Sequence, residues 1–288
     1  MIDDLPSGRE VGAAETPHVR GPAEWLAPST LDAALALRAE RADATVLAGG
    51  TFLGILVNQG FVEPAALLSL GQVKELRGME VTRDGELRIG AMVTHRVLER
   101  DPRVRAGWPA LARAFSLVAS PRVRNQATVG GVLADADYAS DPPAMLAALE
   151  ARVVLHSPRG TREVAVEDLI LGYYETCIAD DELLAEVRVP PAPGRAVYRK
   201  FRSRSSEDRP CVAVAAAVRG DALRVVVGAV ADTPQHFPDV CARGPGEAAA
   251  IGRAYAERIA PIDDARGSAA YRRRVIAVEV RRAIEALT

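Results

Sequence analysis

Two pairs of adjacent glycines constrain this chain more than any other feature. The first lies in Leu47-Ala48-Gly49-Gly50-Thr51, the second about eighty residues on in Ala127-Thr128-Val129-Gly130-Gly131. Adjacent glycines let a backbone run close to a ligand and present bare N–H groups, a surface that suits phosphate oxygens. Two such turns could hold one pyrophosphate from two sides. A single Gly-Gly pair is ordinarily a plain turn; the presence of two, with the residues around them, is what distinguishes this chain.

Ala44-Thr45-Val46-Leu47 reads as a short buried strand feeding the first turn, and Phe52 to Val57 as the helix that leaves it. A strand, a glycine turn and a helix start together resemble a phosphate loop. The Gly-x-Gly-x-x-Gly and Gly-Lys-Ser/Thr signatures are missing, so neither a Rossmann nor a Walker loop is written here. Arg122 and Arg124 precede the second turn, where they would lie either near phosphate or on a solvated surface. Beyond that turn come Val132-Leu133-Ala134 and then Ser140-Asp141-Pro142-Pro143.

The rest of the chain alternates short strands with helices. Ser29 or Thr30 can cap a helix through Leu37. Asp84-Gly85 joins a hairpin from Val81 to Gly90. A helix is expected through Leu98, and His95 reads as a packing or surface residue with no chemical role required of it. Trp108 to Phe115 forms an amphipathic helix, and Pro142 to Leu149 a further, apolar one. Arg152 to His156 and Gly160 to Val164 make a second hairpin, and a strand ending at Val189 precedes the break Pro190-Pro191-Ala192-Pro193-Gly194. Three strands then run over 196–201, 212–218 and 223–230, followed by helices over 247–259 and 268–287. Strands followed by helices indicate an α+β class.

Composition removes several functions. A net charge of -2 and 5% aromatic residues argue against a nucleic-acid surface. Cys177, Cys211 and Cys241 stand far apart, so no cluster or zinc knuckle is encoded, and the histidines form no ligand pair. No nucleophile elbow or metalloprotease motif occurs, so no catalytic side chain and no metal site are expected. No apolar run is long enough to span a membrane, and the first twenty residues lack the pattern of a secretory signal. A loose N-terminal extension and a cytoplasmic protein are expected.

From about Trp25 to the C-terminus the chain resembles the FAD-binding (medium) subunit of the molybdenum hydroxylases, the family of xanthine dehydrogenase and carbon monoxide dehydrogenase. Ala48-Gly49-Gly50-Thr51, Thr128-Val129-Gly130-Gly131 and Ser140-Asp141 followed by Pro143-Ala144 carry the resemblance. Tyr198-Arg199-Lys200-Phe201 and Arg266 to Arg272 extend it to the C-terminal part. It implies an extension over 1–22, an FAD-binding domain of the two-part, PCMH-like type over 23–192, and a small C-terminal domain over 195–288 with about three antiparallel strands and two helices.

It also implies noncovalent FAD, whose ring performs the redox step while the protein binds and orients it. Leu47, Ala48, Gly49, Gly50, Thr51, Phe52 and Leu53 would wrap the pyrophosphate and ribityl region, with Thr128, Val129, Gly130, Gly131 and Val132 as the second wrap. Asp141 would accept from cofactor hydroxyls, cap the helix that begins at Pro142, or both. Leu184 would pack on a ring system or simply in the core. Lys200 would reach the flavin or phosphates, or else be a solvated lysine at a strand edge. Val132 departs from the family, which has Asn there, so one polar contact is in question. Gly49→Val or Gly130→Val is expected to abolish flavin binding with little loss of fold.

The partners implied are a small iron–sulfur subunit and a large molybdopterin subunit, assembled as a dimer of heterotrimers. Electrons would pass from the clusters through FAD to an external acceptor. Two alternatives are a self-contained FAD oxidase, which usually needs a covalent His or Cys link, and a cofactor-poor scaffold subunit, which only Val132 favours.

Overall fold

Three short strands open the molecule: β1 (Glu24–Leu26), β2 (Ala44–Leu47) and β3 (Ala66–Ser69), paired in parallel in the order β1-β3-β2. The structure is a computed structural model and describes residues 23–205 and 207–288; the extension expected over 1–22 lies outside them. The helix Leu31–Glu40 crosses from β1 to β2, its first turn capped by the Thr30 hydroxyl, which accepts from the Ala33 N–H. At the end of β2 the chain enters the first glycine turn and then the helix Leu53–Asn58.

The second sheet contains β4 (Met79–Val81), β5 (Leu87–Gly90), β6 (Arg152–Ser157) and β7 (Gly160–Ala165). A small hairpin, β8 (Ile170–Gly172) and β9 (Glu175–Thr176), precedes the sheet's fifth strand, β10 (Leu183–Val189). Its order is β4-β5-β10-β6-β7, antiparallel throughout. Asp84-Gly85 does turn the first hairpin, with Gly85 at φ +82°. Between β5 and β6 lies a run of helices, of which Pro102–Gly107, Pro109–Ser116, Pro121–Arg124 and Pro142–Ala148 each begin on proline. Proline suits that place because its fixed φ is helical and its missing N–H would have no partner in the first turn.

The third sheet holds β11 (Arg195–Phe201), β12 (Val212–Arg219), β13 (Ala222–Gly228) and β14 (Gln235–His236). The sequence reading found three of these strands; β14 is only two residues long and carries no periodic signal. The two helices are Ala248–Arg258 and Ala269–Glu285.

The β12 sequence Val-Ala-Val-Ala-Ala-Ala explains how this sheet is used. Side chains alternate between faces along a strand. Val212, Val214 and Ala216 pack with Ile276, Val280 and Ile284 of the last helix. Ala213, Ala215 and Ala217 pack instead with Leu111, Met145 and Val187 of the preceding part. On β11 the same alternation sends Val197 and Phe201 to the helices and Tyr198 to the other core. Lys200, two residues after Tyr198, shares its face.

Candidate functional site

A cavity of about 710 Å³ lies where the first two sheets, the second glycine turn and β11 meet. That is within the range of small-molecule and cofactor sites. The two glycine turns lie against each other and both contribute to its wall, and they are built differently.

In the first turn Gly50 sits at φ +68°, a conformation that glycine adopts without strain. Among the described residues, the N–H groups of Gly49, Gly50, Thr51 and Phe52 have no hydrogen-bond partner. All four residues line the cavity. This turn therefore offers a row of donors to an occupant.

The second turn opens a helix, Val129–Ala134, which the sequence reading missed because its two glycines mask the helical signal. Its donors are used within the protein. The Gly130 N–H donates to the Ala91 carbonyl at 2.9 Å, the Gly131 N–H to Thr128 Oγ1 at 3.1 Å, and the Val132 N–H to the Thr128 carbonyl at 3.1 Å. A Cβ on Gly130 would lie 2.6 Å from the Ala91 Cβ and 2.9 Å from its carbonyl oxygen. A Cβ on Gly49 would lie 2.0 Å from the Gln126 carbonyl oxygen. Gly49 thus lets the first turn rest directly on the backbone that leads into the second. Packing, not left-handed backbone, requires glycine at 49 and 130, and the expectation that valine there would spare the fold is corrected.

Every residue expected at the site lines the cavity except Val129, which is fully buried in the core behind it. Val132 borders the cavity and packs against that core. Leu184 does both things foreseen for it, since it belongs to the core and to the wall. Arg122 and Arg124 do not reach the cavity. Arg124 is buried on Glu99 and on the carbonyls of Val118 and Ala119, which makes it a structural clamp.

Asp141 and Lys200 meet. The Lys200 ammonium donates to Asp141 Oδ2 at 2.8 Å and to the Leu117 carbonyl at 2.9 Å; the Tyr198 hydroxyl donates to Asp141 Oδ1 at 2.7 Å. The Lys200 side chain is buried, so the solvated strand-edge reading fails. Asp141 makes no side-chain cap to the helix beginning at Pro142, because its carboxylate turns toward β11. Burial pushes the Asp141 carboxyl up and the Lys200 ammonium down, and their mutual attraction opposes both shifts.

His95 is 1% exposed and lines the same cavity. Its Nε2 lies 3.2 Å from the Thr128 carbonyl, which assigns Nε2 the hydrogen and leaves Nδ1 an acceptor. Burial, opposed by that hydrogen bond, lowers its pKa to about 4, so the ring is neutral near pH 7. Among the described residues, His95 Nδ1 and Arg38 Nε are the buried side-chain polar atoms without a partner. Both residues belong to the cavity wall. A wall with an unmatched acceptor, an unmatched donor and a row of open N–H groups fits a polar, phosphate-bearing occupant such as FAD.

Sequence reading missed several wall residues. Near Phe52, Arg209 pairs with Asp137 at 2.7 Å and lies over the Phe52 ring, which stacks on Tyr174. Asp135 borders the same part of the cavity. In another part Glu182 is held by Arg162 and by the Ala179 N–H. The acids of Asp135-Ala136-Asp137 could have been noticed beside the second turn; Arg209, far away in a loop, gave no signal.

Comparison with known proteins gives matches over nearly the whole chain. Residues 19–192 match a family described as the FAD binding domain in molybdopterin dehydrogenase, and residues 196–287 the CO dehydrogenase flavoprotein C-terminal domain. The nicotine 6-hydroxylase medium subunit of Paenarthrobacter nicotinovorans is 32% identical over 270 residues, covering 90% of this chain and 95% of that protein. The carbon monoxide dehydrogenase medium chain of Hydrogenophaga pseudoflava is 31% identical, covering 91% and 96%. Among solved structures, quinoline 2-oxidoreductase from Pseudomonas putida 86 superposes with a TM-score of 0.86 at 29% identity, over 93% of this chain and 97% of that one.

Proposed function

The chain belongs to the FAD-binding subunits of the molybdenum hydroxylases, and from that premise we propose how its own residues serve the cofactor. It is an FAD-binding electron-transfer subunit of a molybdopterin-dependent complex, working with small and large partner chains. When bound, FAD takes electrons from the partner's iron–sulfur clusters and gives them to an external acceptor. The observation that carries the site assignment is the row of open N–H groups over 49–52 on a cavity of about 710 Å³.

In this reading the first turn donates to the pyrophosphate. The second turn supports it from behind and supplies Thr128, Gly130, Gly131 and Val132 as wall. Lys200 and Asp141 stand in the wall as a hydrogen-bonded pair that offers polar contacts without net charge. Leu184 gives an apolar surface for a ring, and Arg38 Nε and His95 Nδ1 supply one donor and one acceptor. The domain limits 23–192 and 195–288 rest on the proline break and on the two family matches, which divide at the same place. A dimer of heterotrimers and a cytoplasmic setting complete the proposal. In support, no helix among the described residues is long and apolar enough to cross a membrane. The self-contained oxidase is set aside because the matched relatives are medium subunits and chains.

Acid precipitation of the purified protein tests the cofactor assignment. Free FAD is expected in the supernatant. Flavin left in the pellet would contradict noncovalent binding, and none in the intact complex would leave the scaffold reading standing.

A further inference from the structure

The cavity wall carries five acids besides Asp135. Asp43 pairs with Arg41, Asp137 with Arg209, Asp141 with Lys200 and Glu182 with Arg162, while Glu207 is exposed. Asp135 differs from all of them. It is half-buried, and among the described residues its carboxylate makes no hydrogen bond or ion pair. It stands at the C-terminal end of the helix Val129–Ala134, so the second glycine turn and this carboxylate are the two ends of one short rigid element. A carboxylate left half-buried without a partner is costly unless it takes a proton or serves an occupant.

We propose that Asp135 is the proton-exchanging group of the cavity, binding one proton when electrons enter and releasing it when they leave. The proposal rests on the reading of the cavity as the FAD site. Electrons from an iron–sulfur donor add negative charge to the cavity, less whatever protons the cofactor itself would take from solvent. Asp135 takes one proton from solvent water and forms the O–H bond of its neutral acid. It returns that proton to solvent when the electrons pass to the acceptor. No bond between Asp135 and the cofactor forms or breaks.

The surroundings set the working range. Burial, and then the neighbouring charge of Asp137, raise the Asp135 pKa to about 7, while Arg209 opposes them. Tyr174 shares the Asp137 and Arg209 neighbours, and the exposed Glu207 and the Asp141–Lys200 pair are further charged groups of this wall besides the paired Asp43 and Glu182. Arg209 is committed to Asp137 by its 2.7 Å ion pair, so it tempers the Asp135 charge without neutralising it. Asp135 can therefore change its protonation near neutral pH in response to added charge.

The test is the reduction potential of FAD in the loaded full-length protein, measured against pH for wild type and Asp135→Asn. Flavin content is measured first. Wild type without FAD would defeat the cofactor assignment itself, apart from this proposal. With FAD bound, the two curves should coincide at acid pH, where Asp135 is neutral in both. They should separate as pH rises, with the wild type lower, because a carboxylate disfavours added electrons. Asp135→Glu should restore the wild-type slope. Parallel curves between about pH 5 and 9 would overturn the proposal. Should Asp135→Asn fail to hold FAD, the infrared carbonyl band of a neutral carboxylic acid reads the same group in cofactor-free protein. That band should fade through neutral pH in wild type and be missing from the variant. A wild type without a band that titrates there would equally overturn it.

Discussion

The two glycine turns look alike in sequence and do different work. The first leaves its N–H groups at 49–52 open and bends through a left-handed glycine at 50. The second spends its donors on Ala91 and Thr128 and uses its glycine at 130 to press a helix against Ala91. One turn offers hydrogen bonds to a ligand, and the other holds the first in place. The lesson is that a Gly-Gly pair reports close approach of a backbone to something, and at both 49 and 130 that something includes the protein's own backbone.

The largest expected effect tests whether the second turn is structural. Gly130→Val should destabilise the cofactor-free protein by about 3 kcal/mol or more, because the added atoms meet the Ala91 backbone. Gly49→Ala should act similarly through Gln126, although it lies in the first turn. Thermal unfolding without flavin measures both. Unchanged midpoints would mean that the two turns are looser than their packing indicates.

Next comes the histidine that ties the second turn down. His95 has a pKa of about 4 when folded, against an ordinary value of 6.5. The unfolded chain therefore binds this proton at higher pH than the folded one, and stability falls as pH drops from the upper value toward the lower. Over that window wild type should lose roughly 3 kcal/mol more than His95→Gln. Denaturant titrations at several pH values give the comparison, and equal losses would show that the ring is protonated in the folded state.

Removing the Thr128 hydroxyl separates capping from ligand binding. Thr128→Ala should cost about 1 kcal/mol, the usual worth of a helix N-cap. In the cofactor-free protein that loss should already be complete. A cost that appears only with FAD bound would assign the hydroxyl to the cofactor instead.

The smallest effect concerns Val132, which stands where the family resemblance implies an asparagine. Val132 borders the cavity but packs against the core, with its N–H committed to Thr128. A new side-chain hydrogen bond contributes about 0.5–1.5 kcal/mol. Val132→Asn should therefore tighten FAD by a few-fold to about tenfold. Titration of deflavinated protein decides it, and weaker binding would show that the core contact of valine matters more than the missing amide.

Much of the first turn could be read from sequence because a strand, a glycine pair and a helix start are all local signals. Asp84-Gly85 likewise fixed its hairpin by itself. The second turn was found but its role was not, since the clash with Ala91 depends on a residue about forty positions away. The same holds for Lys200, whose burial on Asp141 and Leu117 joins segments that no local pattern connects. β14 and the β8–β9 hairpin are too short for any periodicity to reveal them. Arg209 escaped notice because its importance comes only from where a loop brings it.

The alternation along β12 has a bearing on how such chains can diverge or be recombined. Ala213, Ala215 and Ala217 fit side chains of the preceding part, while Val212, Val214 and Ala216 fit the last helix. The proline break at 190–194 divides the polypeptide but not the packing. A chimera that joins residues before this break to the C-terminal half of another relative would inherit a sheet face shaped for different neighbours. Three alanines in a row on that face leave room for only one set of opposing side chains, so the halves must be exchanged together with the surface they press against.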